Sequence, residues 1–196
     1  MMLVSIKCPN CGANLKVDSS QDTAMCPYCD SMYMIEKASG IIPAKVDVVD
    51  TDHSAVFDIR GDVLVKYNGT TTKVTIPDSV TVIGEGAFKL CGSLTEVTIP
   101  DSVKIIEAHV FNRCKNLRKI QIPGSVERIE KYTFASCRSL AEVTIEPGIK
   151  SIAAYAFMSC RNLSSISIPS SVTSLDDSVF ASCKNLKEIS IPDSVV

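Results

Sequence analysis

A repeat of 23 residues is the feature that most constrains this chain. Five of the six phenylalanines keep that spacing, and so do columns of leucine, isoleucine and cysteine. The two clearest columns are Phe88, Phe111, Phe134, Phe157 and Phe180, and Cys91, Cys114, Cys137, Cys160 and Cys183. A fixed period of 20 to 50 residues is typical of architectures in which equivalent units stack. We therefore predict a repeat solenoid over residues 73–196.

Each repeat contains the pattern of one short strand. Val97 and Ile99 alternate with polar residues, which predicts a strand, and Pro100 ends it because proline cannot donate to a ladder. A single repeat buries too little apolar surface to offset its chain entropy, so the repeats must stack in order to fold. The equivalent strand segments are residues 73–76, 96–99, 119–122, 142–145, 165–168 and 188–191.

A less regular segment precedes the repeats. Residues 56–59 and 63–67 have strand patterns, and Arg60-Gly61-Asp62 between them has the composition of a turn. We interpret residues 47–72 as the N-terminal cap of the solenoid and residues 38–46 as a linker.

The repeat consensus is Leu-x-x-Val-x-Ile-Pro-Asp-Ser-Val-x-x-Ile-x-x-x-x-Phe-x-x-Cys. It resembles the BspA-like (Treponema pallidum type) leucine-rich repeat family over roughly residues 55–196. The resemblance implies a right-handed, mostly β solenoid with a parallel sheet on its concave face. It also implies a bacterial interaction protein, often at the cell surface.

Two C-x-x-C pairs stand apart from the repeats, and they contain Cys8, Cys11, Cys26 and Cys29. Four thiolates make a closed tetrahedral site that suits structural zinc. Rubredoxin-type iron uses the same four ligands and stays open as an alternative. Residues 5–36 resemble the zinc-ribbon family, so we predict a small four-cysteine zinc ribbon over residues 1–37.

Cysteine usage also bears on the compartment. The total of nine is odd, which excludes complete internal pairing, and the first residues lack the long apolar segment of a signal peptide. We expect reduced thiols and a cytoplasmic location, with the cell surface as the alternative that the family suggests. No apolar run is long enough to span a bilayer.

Composition argues against two function classes. The chain has two histidines and no glycine-rich phosphate loop or Ser-His-Asp set, so we predict that it is not an enzyme. Its net charge is −2, which excludes a strongly basic nucleic-acid binder.

Several rows in register with the repeat are candidate surfaces for an unidentified protein or peptide. Each also has a plain structural reading, as a solvated face or as repeat packing. The concave-face row contains Glu96, Lys119 and Glu142, which we expect to pair across the ladder. An aromatic row is formed by His109, Tyr132 and Tyr155, and a basic row by Lys115, Arg138, Arg161 and Lys184. The repeat cysteines are interpreted as a ladder of buried thiols.

These patterns together predict a non-catalytic protein–protein interaction scaffold. The alternative is a nucleic-acid-associated regulator that uses the zinc ribbon to reach its target. The C-terminal edge strand near Ile191 predicts either a homo-oligomer or a longer parent protein, because an open strand edge can pair with another chain and solenoids usually end in a capping unit.

Overall fold

The structure is a computed structural model. It describes the backbone of residues 3–7, 14–18, 23–25 and 32–34 and the whole of residues 56–195. The chain divides into two compact units, Met1–His53 and Ser54–Val196.

The N-terminal unit contains two antiparallel hairpins. Strand β1 (Leu3–Lys7) pairs with β2 (Asn14–Asp18), and β3 (Thr23–Met25) pairs with β4 (Met32–Met34). The closing pairs are Lys7 with Asn14 and Met25 with Met32, so each connection is six residues long. The predicted metal ligands Cys8, Cys11, Cys26 and Cys29 lie outside the described residues.

The C-terminal unit begins with an antiparallel hairpin, formed by β5 (Phe57–Arg60) and β6 (Val63–Tyr67). These are the two strands expected from the sequence. Gly61 supplies the positive φ, 65°, that the turn requires. Phe57 and Tyr67 are buried, and the Tyr67 ring stacks on Phe88 at 5.1 Å. The hairpin therefore packs against the first ring of the repeat core.

One face of the solenoid is the parallel ladder predicted from the sequence. All six expected strands are present, but the ladder is divided into a four-stranded and a two-stranded part. The first part contains β7 (Lys73–Thr75), β9 (Glu96–Thr98), β11 (Lys119–Ile122) and β13 (Glu142–Ile145), and the second contains β15 (Ser165–Ser167) and β17 (Glu188–Ser190).

The division falls at the irregular fourth repeat. Glu146 stands where the other repeats have proline, and its Oε2 accepts a hydrogen bond from the Gly124 N–H at 3.2 Å. Gly124 packs directly against the carbonyl of Pro147, and a Cβ atom at Gly124 would collide with it. The ladder stops between β13 and β15, directly beside this irregular segment.

A second parallel ladder runs through the repeats and was not predicted. It continues from β6 through strands of only two residues each. These strands are β8 (Val82–Ile83), β10 (Ile105–Ile106), β12 (Arg128–Ile129), β14 (Ser151–Ile152) and β16 (Ser174–Leu175). Two residues are too few to show the period-two pattern by which strands are found in a sequence.

Turns form the third side of each repeat and bind to one another along the stack. The Phe88 N–H donates to Val110 O at 3.0 Å, and the Phe111 N–H donates to Thr133 O at 2.8 Å. Two positions in every repeat have a left-handed backbone, with φ between 57° and 67°. The two columns are Gly86, His109, Tyr132, Tyr155 and Ser178, and Leu90, Arg113, Ser136, Ser159 and Ser182. Three of the residues in the first column, His109, Tyr132 and Tyr155, form the aromatic row.

The core is a continuous stack of aromatic rings. The phenylalanine rings follow one another at centroid distances of 5.1 to 5.7 Å, and the first four are fully buried. The same ring lies above its counterpart in each turn of the solenoid. Each repeat is thereby held to the next by both hydrogen bonds and apolar contact.

Candidate interaction surfaces

The concave-face row is partly neutralised by its own side chains. Lys73 Nζ lies 2.9 Å from Glu96 Oε2, and Lys119 Nζ lies 4.0 Å from Glu96 Oε1. The hydrogen bond from Lys73 and its charge lower the pKa of Glu96. Glu142 pairs in register with Lys119 along the ladder but forms no ion pair within the described residues. The expected pairing is therefore present around Glu96 and absent at Glu142.

The aromatic row is a stack of three parallel rings. His109 and Tyr132 lie 4.9 Å apart at 9°, and Tyr132 and Tyr155 lie 5.2 Å apart at 4°. All three side chains are half-buried, and each stands at a left-handed backbone position. His109 Nδ1 is buried and has no hydrogen-bond partner among the described residues. The row is therefore partly accessible and contains one buried polar atom without a partner among the described residues.

The fold does not require aromatic side chains in this column. Gly86 and Ser178 occupy the equivalent positions in the neighbouring repeats with the same backbone conformation, φ 64° and 57°. A left-handed conformation is costly for a side chain with a Cβ, and glycine avoids that cost. Aromatic residues are thus present at positions where glycine would satisfy the backbone better and where serine also fits.

The basic row lies directly after the core cysteines. Cys114, Cys137 and Cys160 are fully buried, and the residues that follow them point outward. Lys115, Arg138, Arg161 and Lys184 are all exposed, and none forms an ion pair within the described residues. The row is an unneutralised line of cations along the stack.

The thiol ladder has a role that the sequence did not indicate. The Cys114 thiol donates to Phe88 O at 3.0 Å, and the Cys137 thiol donates to Phe111 O at 3.1 Å. Each of these carbonyls already accepts the N–H of the cysteine three residues later. Because the second lone pair of a buried carbonyl would otherwise be unmet, the thiol completes the hydrogen bonding of the core.

The thiols differ in exposure and acidity. Burial raises the pKa of Cys114, and it raises that of Cys137 to about 12. The contact with the Cys183 thiol and burial raise the pKa of Cys160. Cys91 and Cys183, at the two ends, are only half-buried. The ladder therefore holds protonated thiols in its interior at neutral pH.

The second ladder forms a surface depression that was not foreseen. Its volume is about 490 Å³, and it is lined by Ile105, Arg128 and Glu130 among others. Ile105 is 50% exposed there. Ile105 lies in β10, a strand of two residues that is too short to show a pattern in the sequence, so the depression was not predicted.

The described residues contain neither a candidate metal cluster nor a candidate membrane-spanning helix. The described residues contain no group of three or more His, Cys, Asp or Glu side chains that could hold a metal ion. The predicted four-cysteine site lies outside those residues, so that finding does not bear on it. None of the described residues belong to a helix with the length and apolar character needed to cross a bilayer.

The stacked parallel ladders and the buried phenylalanine column define a solenoid of the leucine-rich repeat class. Residues 65–187 match the BspA type leucine-rich repeat region, in six copies. The chain belongs to this family. A comparison with curated proteins gives no match.

Solved structures with similar folds come from several bacteria. A leucine-rich repeat protein from Bacteroides ovatus is 34% identical with a TM-score of 0.62, over 68% of this chain and 37% of its own. The leucine-rich repeat protein of T. pallidum is 27% identical with a TM-score of 0.60, over 67% of this chain and 75% of its own. The pneumococcal vaccine antigen PcpA, at 22% identity and a TM-score of 0.57, shares the fold. This chain therefore spans little more than a third of the B. ovatus protein.

Proposed function

We propose that the chain is a non-catalytic scaffold that binds a protein or peptide partner on the surface of its solenoid. Leucine-rich repeat solenoids in general mediate protein interactions, and membership of the family supports this role. The continuous core and the hydrogen-bonded turns hold the surface side chains in fixed positions. A preorganised surface loses little conformational entropy on binding.

The observation that carries this proposal is the aromatic row of His109, Tyr132 and Tyr155. The rings occupy strained backbone positions that glycine and serine fill in other repeats. Stacking between the rings partly offsets that strain but does not explain why aromatic residues are there. Tyrosine is enriched at protein interfaces, where its rigid ring supplies contact area at low entropic cost.

The test is affinity capture from native lysate with the full chain as bait. The triple variant H109S/Y132S/Y155S removes the row while keeping a residue that the column already contains at Ser178. The matched control is T75A/T98A/T144A, which changes three exposed threonines on the concave face. We expect a specific protein to be captured by the wild type and the control and lost with the row variant.

Nuclease treatment of the lysate separates the scaffold from its alternative. Capture that survives nuclease supports a protein partner. Capture that disappears with nuclease and depends on Cys8 and Cys26 contradicts the proposal, and it favours a regulator that acts through the N-terminal unit.

We propose further that Cys8, Cys11, Cys26 and Cys29 bind one structural zinc ion. Each C-x-x-C pair lies in the six-residue connection of an antiparallel hairpin, at the first and fourth positions of that connection. The two cysteine pairs occupy the same positions in their hairpin connections, as two pairs of ligands to one metal ion would. When bound, zinc would stabilise a unit too small for a large hydrophobic core.

Metal analysis of the purified chain tests this site. We expect about one zinc per chain, lost in the variant C8S/C26S. The variant C114A/C137A is the control, because those cysteines belong to the buried ladder. Iron in place of zinc would confirm the ligands and correct the metal, whereas equal zinc in both variants would contradict the site.

We propose a reducing compartment for the chain, the cytoplasm in the first place. The buried cysteines donate S–H hydrogen bonds, which requires that they stay reduced. The family is compatible with the alternative of a surface location. Fractionation of cells with an antibody against the chain distinguishes the two.

A further inference from the structure

The segments that lead from each buried phenylalanine to the next concave-face strand have an unusual composition. They are residues 89–95, 112–118, 135–141, 158–164 and 181–187, which we call the basic edge. The basic edge contains no acidic and no aromatic residue. It has eight cations, and all are exposed: Lys89, Arg113, Lys115, Arg118, Arg138, Arg161, Lys184 and Lys187.

Adjacent segments of the basic edge lie against one another. Asn116 Nδ2 donates to Gly92 O at 2.6 Å, and the Ser139 N–H donates to Lys115 O at 3.2 Å. A Cβ atom at Gly92 would lie 3.2 Å from Cε of Lys115, so the Lys115 side chain reaches over the equivalent position of the preceding segment. Parallel rungs are ~4.8 Å apart. The basic row of Lys115, Arg138, Arg161 and Lys184 therefore extends over about 14 Å.

Among the described residues, ion pairs occur elsewhere on the solenoid but not along the basic edge. The segments that follow the concave-face strands, residues 77–87, 100–110, 123–133, 146–156 and 169–179, contain nine acidic and four basic residues. Within them Arg128 is paired with Glu130 and with Asp176, each at 3.2 Å. Like charges on neighbouring rungs are destabilising, and opposite charges between them would remove that cost. The basic row keeps that cost in four successive segments.

The geometry points to a partner that supplies the missing negative charge. We propose that the basic edge binds an extended acidic peptide segment, which deepens the scaffold function proposed above and rests on it. A run of about five extended residues, at ~3.3 Å each, covers the length of the basic row. Arginine and lysine donate charge-assisted hydrogen bonds to carboxylates, and arginine can do so in bidentate form.

A peptide fits this edge better than a single-stranded nucleic acid. Proteins that bind single strands combine cations with aromatic side chains on which the bases stack. The basic edge has no aromatic residue, and the rings of His109, Tyr132 and Tyr155 belong to the segments of opposite charge. A flexible chain of carboxylates binds to cations and does not need aromatic rings on which to stack.

Fluorescence anisotropy with the full chain tests the proposal, using a labelled octa-aspartate peptide and an oligothymidylate of equal charge. Titrations are made at about 0.1 M salt, where charges more than about 10 Å apart are screened. The variant K115E/R138E/R161E reverses three charges of the basic row. The matched control K104E/K131E/K150E reverses three exposed lysines in the acidic segments and changes the net charge equally.

We expect the peptide to bind the wild type and the control within about twofold of each other. The basic-row variant should lose about tenfold or more in affinity, because each reversed side chain repels a carboxylate that it attracted before. Thermal melts check that all three chains are folded. Equal losses in the two triple variants, no binding of the peptide, or tighter binding of the oligonucleotide would each overturn the proposal.

The outcomes also separate this inference from the scaffold function. If the basic-row variant still captures the nuclease-resistant partner from lysate and the peptide does not bind, the acidic-peptide site is wrong and the scaffold stands. If no partner is captured by any chain but the peptide binds as expected, the surface is correct and the scaffold role is wrong.

Discussion

At the scale of single residues, the cysteine ladder shows most clearly how the repeat is built. A small apolar residue would fill the same space, but it would not donate a hydrogen bond. The Cys137 thiol donates to Phe111 O, a buried carbonyl that accepts a backbone N–H as well. The buried carbonyl of the preceding repeat therefore favours cysteine over a small apolar residue at this position.

Replacing Cys137 by alanine tests this role. The variant loses both the packing of a buried sulfur and a hydrogen bond, so we expect a destabilisation of about 1–3 kcal/mol. Cys91→Ala is the control, since Cys91 is half-buried and donates no such bond within the described residues. Urea unfolding measures the free energy of unfolding of both variants. A loss at Cys91 equal to that at Cys137 would contradict the account.

The raised pKa of the buried thiols makes stability depend on pH. Burial raises the pKa of Cys137 to about 12, whereas an unfolded thiol titrates near about 8.5. Above that value the unfolded chain releases protons that the folded chain retains, so alkali favours unfolding. We expect the free energy of unfolding to fall between about pH 9 and pH 12, and to fall less in Cys137→Ala. Parallel curves for the two chains would contradict the assignment.

At the scale of elements, the fourth repeat shows what a one-residue departure does to a ladder. Glu146 replaces the proline and Pro147 follows it, and the concave-face ladder stops between β13 and β15. Gly148 adopts φ 131°, which favours glycine, and its neighbour across the stack is Gly124. Two glycines thus allow the two backbones to approach closely.

Replacing Gly124 by alanine should be strongly unfavourable. Its Cβ would collide with the Pro147 carbonyl, and backbone cannot yield as a flexible side chain can. We expect a loss of about 1–3 kcal/mol in urea unfolding. Gly92→Ala is the control, because the one tight contact of its Cβ would be with Cε of the flexible Lys115 side chain at 3.2 Å. That change should be neutral or stabilising by up to about 1 kcal/mol.

At the scale of the whole molecule, charge is distributed unevenly around the solenoid. All charged residues of the basic edge are cations, whereas most charged residues in the segments that follow the concave-face strands are acidic. Like charges stacked on adjacent rungs oppose folding. The stability of the solenoid should therefore rise when the middle of the basic row changes sign.

Arg138→Glu makes that change between Lys115 and Arg161. Two repulsive neighbours become attractive, so we expect a gain of about 0.2–1 kcal/mol that shrinks at high salt. Thermal melts at low and high salt measure it. A decrease in stability would show that Arg138 has a structural role and that the row is not a cost kept for binding.

The homo-oligomer at the C-terminal edge strand also stays a prediction. β17 carries Ile189, which is 39% exposed, and Ile191 follows it at 51%. Sedimentation of the full chain and of the variant I189K/I191K measures it. We expect the wild type to self-associate and the variant to be monomeric, whereas equal sedimentation of the two would contradict the prediction.

Much of the fold was predictable because the repeat places one residue type in one environment many times. The phenylalanine column, the six concave-face strands and the β5–β6 hairpin all follow from periodicity and turn chemistry. The second ladder was missed because Val82–Ile83 and its equivalents are too short to show a pattern. The left-handed column was missed because Tyr132 and Tyr155 are not residues that indicate a positive φ.

The candidate surfaces were predictable as rows but not as structures. Register alone aligned His109, Tyr132 and Tyr155, yet only coordinates show parallel rings at 4.9 and 5.2 Å. Register also aligned the basic row, but the absence of ion pairs there, within the described residues, depends on side-chain positions. Sequence could not show that Glu142 stays unpaired while Glu96 has two lysine neighbours.

The most direct test of the aromatic row is the affinity of the purified captured partner for the solenoid surface. Isothermal titration would compare the wild type, H109S/Y132S/Y155S and T75A/T98A/T144A. We expect the row variant to bind at least about tenfold more weakly, a loss of about 1.4 kcal/mol, and the control to be unchanged. Equal affinity of all three chains would contradict the claim that the aromatic row is where this protein binds its partner.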